Sequence, residues 1–150
     1  MKHKNTNRFA SLAAVLAIAA FDAYAEQRKI MISVTDRKLV LVEGDQVLKT
    51  YDVAVGKPST PSPRGEFQII NRVQYPTWYG PDGPVPPGGD NPLGTRWMGL
   101  STKGYGIHGT NAPRSIGKAA SHGCIRMRQQ DLEELFELVE AGTTVVEIAD

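Results

Sequence analysis

The sequence predicts a mainly β domain, β-sandwich-like in its layering, with one amphipathic helix near its C-terminal side. Three observations lead there. Short runs that alternate apolar and polar residues recur between Arg28 and Val73, each bounded by Gly, Pro, Asp or Asn. A stretch dense in proline and glycine, residues 75–94, excludes both a helix and a central strand. Only residues 131–139 repeat their apolar side chains at helical spacing.

In chain order, residues 28–34 alternate as a strand, Asp36 and Arg37 turn the chain, and residues 38–42 return, which predicts a hairpin. Residues 43–46, Glu-Gly-Asp-Gln, make a second turn into a strand over 47–55 whose apolar side is Val47, Tyr51, Val53 and Val55. Residues 56–63 carry Pro58, Pro61 and Pro63 and form a loop too poor in amide donors to be a central strand. Another strand follows over 65–73, around Phe67, Ile69 and Ile70. The 75–94 stretch holds six prolines, five glycines, Trp78 and two tyrosines, and its aromatics predict a wall or lid over a substrate groove. Residues 96–101 and 105–109 read as short strands, placing His108 at a strand end, and 111–120 is a loop. On the helix Leu132, Leu135, Phe136 and Val139 share one face, acids occupy the other, and Gly142 lies just beyond the end. Residues 143–148 close the chain as a strand.

Residues 1–25 read as an export signal: Lys2, Lys4 and Arg8 precede an apolar run over 9–21, and Ala23-Tyr24-Ala25 fits the small-x-small cleavage rule. The apolar run is shorter than the roughly 20 residues a membrane-spanning helix needs. The expectation is therefore a chain cleaved before Glu26 and exported to the periplasm or cell envelope, with residues 26–150 as one domain and no stable membrane span. Residues 1–25 carry three cations and one anion, so beyond them 14 Lys and Arg face 15 Asp and Glu, a net charge of −1. That balance argues against nucleic acid as a partner.

Cys124 is the sole cysteine. In an oxidising compartment an unpaired thiol invites oxidation and mixed disulfides, so a chain that keeps one uses it. It lies in Ser121-His122-Gly123-Cys124-Ile125-Arg126, sixteen positions after His108, and the two histidines of these segments are the only ones beyond residue 25. A thiol reacts as its thiolate and needs a base. His108, from a separate strand end, is predicted to be that base and the later acid, with Cys124 as nucleophile. His122 and Ser121 fall on the substrate side, and the backbone N–H groups of Gly123 and Cys124 are predicted to hold an oxyanion. Arg126 either binds a substrate carboxylate or makes a surface ion pair. The competing constellation is zinc on His108, His122 and Cys124, but three ligands at this spacing match no common zinc framework, and HExxH is absent.

These residues form a recognisable set. Ile107-His108-Gly109-Thr110-Asn111, Ser115-Ile116-Gly117 and Ser121-His122-Gly123-Cys124-Ile125-Arg126-Met127 together resemble the catalytic signature of the bacterial L,D-transpeptidases of the YkuD type. Gly56-Lys57-Pro58, the run from Thr60 to Phe67 and Asn91-Pro92-Leu93-Gly94 add to the resemblance, which extends over essentially all of residues 26–150. It implies a β-sandwich-like catalytic domain with its cysteine in a groove, acting on peptidoglycan stem peptides without metal or organic cofactor. Cys124 would attack the carbonyl preceding the terminal D-alanine of a tetrapeptide stem, release D-alanine and hold a thioester, with His108 fixed in its tautomer by the Gly109 carbonyl. An amine such as diaminopimelate would then resolve the thioester into a 3→3 cross-link, and carbapenems would be inhibitors. Many members carry Asn two residues after the cysteine; this chain has Arg126. Three functions are carried forward: transpeptidase, a carboxypeptidase or other hydrolase sharing the acyl-enzyme, and a non-catalytic peptidoglycan-binding module.

Overall fold

The computed structural model describes residues 27–150; the predicted export signal and Glu26 lie outside the described residues. Strands β1 (Arg28–Ser33) and β2 (Lys38–Glu43) form the predicted hairpin, paired from Arg28 with Glu43 to Ser33 with Lys38. β3 (Gln46–Gly56) and β4 (Gly65–Gln74) are the long strands. They are followed by β5 (Trp78–Gly80), β6 (Gly83–Val85), β7 (Arg96–Leu100), β8 (Gly106–His108), β9 (Ala119–Ser121) and β10 (Ile125–Met127). Helix α1 (Gln129–Leu138) and β11 (Val145–Ala149) complete the chain.

The main sheet runs β10-β8-β7-β4-β11-β1-β2-β3-β9, and β10 also pairs with β3, so it bends round and closes on itself. Its enclosed face is the core. Ile30, Ile32, Leu39, Leu41, Val53, Ile69, Met98, Ile107, Ile125 and Met127 are all buried there, and α1 adds Leu132, Leu135 and Phe136. Each large apolar side chain so buried contributes about 1.5–3 kcal/mol. The helix face is the predicted one, including Val139 just beyond its end.

Two predicted apolar positions face solvent instead. Val47 is 64% exposed because a bulge between Leu41 and Val42 pairs Val42 with Val47 and skips Leu48, which inverts the alternation counted back from Tyr51. Ile70 is 55% exposed and is the extra residue of a second bulge, where Ile69 pairs with Leu100 and Asn71 with Gly99. The stretch read as irregular, 75–94, contains the small β5–β6 hairpin, and the 111–120 loop contains a 3-10 turn at Pro113–Ser115 and the start of β9. Elements of three residues carry no period to read.

The core positions the site through β8 and β10. They are parallel neighbours, with Ile107 beside Ile125 and Arg126 beside His108, so Cys124 falls level with Gly106. The buried isoleucines lock that register.

Candidate active site

Cys124 sits on a tight turn whose shape depends on Ser121. The Ser121 hydroxyl accepts the Gly123 N–H at 3.0 Å and donates to the Cys124 carbonyl at 2.6 Å, and the residue is 1% exposed. Its own carbonyl accepts the Lys57 N–H and the Thr60 hydroxyl, both at 3.0 Å, tying the turn to the proline loop. Gly123 has φ +121°, and a Cβ there would stand 2.6 Å from Cε1 of Tyr105, so the turn requires glycine. The Gly123 N–H is committed to the Ser121 hydroxyl, and Ser121 also lines the groove into which Cys124 opens. The Cys124 N–H has no acceptor among the described residues.

His108 is 6% exposed, and its ring stacks on Trp97 with centroids 5.7 Å apart and planes 19° apart. Nδ1 lies 2.6 Å from the Gly109 carbonyl; a carbonyl only accepts, so Nδ1 carries the proton and Nε2 keeps the lone pair. Burial pushes the His108 pKa down to about 4, the Gly109 bond opposes this, and the Arg126 charge adds to it. At neutral pH the ring is an uncharged base.

Burial pushes the Cys124 thiol up, against the Gly106 N–H and the Arg126 charge, which both favour thiolate. Sγ lies 3.6 Å from the Gly104 carbonyl. The resting pair is therefore a neutral thiol and a neutral imidazole.

Cys124 and His108 open into one cavity of about 720 Å³, lined also by His122 and Arg126 and, from the 75–94 stretch, by Tyr75, Pro76, Thr77, Trp78, Tyr79, Pro92 and Leu93. The stretch thus forms the predicted wall. His122 is exposed in this groove. Arg126 is half-buried and makes no ion pair or side-chain hydrogen bond among the described residues, while the other lining residues bring no carboxylate. Among the described residues no three His, Cys, Asp or Glu side chains converge as a metal site, so the zinc grouping is not assembled.

Sequence reasoning missed the role of Asn91. Its side chain is 1% exposed; Nδ2 faces the carbonyls of Pro76 at 2.8 Å, Val85 at 3.2 Å and Pro86 at 3.3 Å, and Oδ1 accepts the Leu93 N–H at 2.9 Å. Leu93 in turn offers its carbonyl to the Gly109 N–H at 2.7 Å, next to His108. One amide fastens the wall to itself and, through Leu93, to the strand end. The sequence shows only an asparagine inside a proline-rich run; its burial and its partners appear in the fold alone. Asn91→Ala strips carbonyl acceptors of their donor at a cost of about 1–3 kcal/mol. We expect faster proteolysis within 75–94; an unchanged rate would contradict this role.

A family model for the L,D-transpeptidase catalytic domain, YkuD, matches residues 27–148. The chain belongs to the YkuD family of L,D-transpeptidase catalytic domains. It is 49% identical to YkuD of Bacillus licheniformis over 117 residues, 78% of this chain and 63% of the relative. It is 46% identical to YkuD of Bacillus subtilis over 124 residues, 83% of this chain and 68% of the relative. The L,D-transpeptidase domain thus spans about two thirds of the length of these relatives. Among solved structures, a cysteine-to-serine mutant of the Enterococcus faecium L,D-transpeptidase superposes with TM-score 0.70 at 27% identity, covering 83% of this chain and 50% of that one. The isolated catalytic domain from E. faecium superposes with TM-score 0.66 at 30% identity, covering 84% and 99%. The β-sandwich-like fold is common to these L,D-transpeptidases.

Proposed function

We propose that the protein is a peptidoglycan L,D-transpeptidase working through a thioester on Cys124. The observation that carries this reading is the shared groove of Cys124 and His108, with His108 held by Gly109 in the tautomer that leaves Nε2 basic. His108 Nε2 takes the thiol proton as Sγ attacks the carbonyl before the terminal D-alanine of a tetrapeptide stem. The Cys124 N–H faces the developing oxyanion. Collapse breaks the C–N bond, His108 returns the proton to the departing D-alanine amine, and the acyl group remains as a thioester. An acceptor amine, deprotonated by the same histidine, attacks the thioester and restores the thiol.

Arg126 is read as the anchor for a donor carboxylate. An unpaired guanidinium in an aromatic groove favours a charged partner. Arg126→Met is expected to raise KM for the tetrapeptide donor about tenfold, the scale of one charge-assisted hydrogen bond. An unchanged KM would remove Arg126 from substrate binding.

The hydrolase reading shares every step up to the thioester, and water then replaces the amine. Incubation with disaccharide-tetrapeptide separates the two: cross-linked dimer and D-alanine are expected, whereas tripeptide monomer alone would establish hydrolysis. A neighbour at 29% identity was solved as a carbamoyl enzyme of avibactam. We extend this to Cys124 as the residue that avibactam-type carbamoylating agents modify. A peptidoglycan substrate supports action in the cell envelope, as do the export features read in residues 1–25.

A further inference from the structure

We propose that Tyr75, Trp78 and Tyr79, on the wall of the groove, form a stacking site for a sugar ring of the glycan strand that carries the donor stem. This rests on the transpeptidase reading, because the sugar is covalently joined to the peptide that enters the groove. Tyr75 is 59% exposed and Tyr79 is 82% exposed, yet both line the same cavity as Cys124. Large aromatic groups left this open beside a reaction centre mark a binding surface.

The rings of Tyr75 and Trp78 and the backbone of Tyr79 are held in place before any ligand arrives. The Arg96 guanidinium lies 5.0 Å from the Tyr75 ring centroid, and the Tyr75 N–H donates to the Thr95 carbonyl at 2.7 Å. The Trp78 indole lies against Gly80, where a Cβ would stand 2.3 Å from Cη2, so only glycine lets the ring settle there. Tyr79 is paired across the hairpin with Pro84, and Asn91 binds the carbonyls of Pro76, Val85 and Pro86 on either side of it. Prearranged rings bind without an ordering cost.

The chemistry of the wall selects the ligand. Its only charged residues between 75 and 94 are Asp82 and Asp90; of the nearby cations, Arg96 is stacked over Tyr75 and Arg126 is read as the anchor of the donor carboxylate, so neither is left for a phosphate-bearing polymer. Aromatic faces edged by a phenol and an indole N–H suit the apolar C–H face and the peripheral hydroxyl and N-acetyl groups of a pyranose.

The test compares kcat/KM for disaccharide-tetrapeptide and for the free tetrapeptide. The wild type is expected to prefer the disaccharide form by about tenfold, or about 1.4 kcal/mol. Trp78→Ala combined with Tyr79→Ala should bring that ratio close to one, and Trp78→Phe should keep most of it. Equal rates in the wild type, or a preference that survives the double substitution, would overturn the proposal. If the wild type turns over neither substrate, the transpeptidase reading fails, and a titration with peptide-free disaccharide still decides the wall. Saturable shifts of the Gly80 and Gly83 amide signals that vanish in the double variant support the site; their absence overturns it.

Discussion

Replacing His108 with Asn is expected to slow acylation of Cys124 by about 10²–10⁴-fold, the range a positioned general acid–base contributes. Asn preserves a polar group of similar reach beside the Gly109 carbonyl but offers no basic nitrogen. The pH profile gives the sharper signature. Because burial holds the His108 pKa at about 4, the base is available throughout the range above that value, and the acid limb of kcat/KM should lie near 4. An acid limb near 6.5, the ordinary imidazole value, would show that His108 titrates as if exposed.

The same burial ties stability to pH. The folded pKa of about 4 lies below the 6.5 of an exposed imidazole, so between them the unfolded chain binds more protons. Stability from this group is complete above 6.5 and is lost as pH falls towards 4, by about 3 kcal/mol in all. Urea midpoints measured from pH 7 down to pH 4 should therefore fall less steeply for His108→Asn than for the wild type. Asp52, Glu133 and Glu134, whose side-chain hydrogen bonds hold their pKa values low, give up their stabilisation at lower pH still.

Cys124→Ala should abolish acylation, with at least about a 10⁴-fold loss, since the covalent step has no other nucleophile. The fold should survive: the turn is held by the Ser121 hydroxyl and by backbone atoms, neither of which needs the sulfur. Cys124→Ser should be nearly as inactive. A neutral imidazole with a pKa near 4 is too weak a base to ionise an alcohol, whose own pKa lies far above that of a thiol. Retained turnover in the alanine variant would remove Cys124 from the mechanism.

How far the sequence announced this site depends on which residues carry it. Cys124 and His108 were legible because reactive residue types are scarce: one cysteine, and two histidines beyond residue 25. The core helix was legible because Leu132, Leu135, Phe136 and Val139 recur at steps of three, one and three, which the two-residue alternation of a strand does not produce. Asn91 was not, because its work is to join carbonyls from Pro76, Val85 and Pro86, which no local pattern connects. The turn-holding bonds of Ser121 were illegible for a related reason: its hydroxyl faces its own turn, and only the fold reveals that both neighbours of its oxygen are backbone groups. Val47 was misplaced by a bulge, which adds one residue and flips the alternation. The closure of the sheet through β10 and β3 joins segments more than seventy residues apart in sequence, at Arg126 and Ala54, and composition says nothing of it.

Trapping the acyl-enzyme tests the role of Cys124 most directly. The protein is mixed with disaccharide-tetrapeptide, quenched in acid, digested with trypsin and examined by mass spectrometry. A Cys124 thioester predicts that tryptic peptide 119–126, which contains the chain's only thiol, gains the mass of the donor minus D-alanine, and that Cys124→Ala shows no such gain. Cross-linked product formed by the alanine variant, or an adduct on any other peptide, would contradict it.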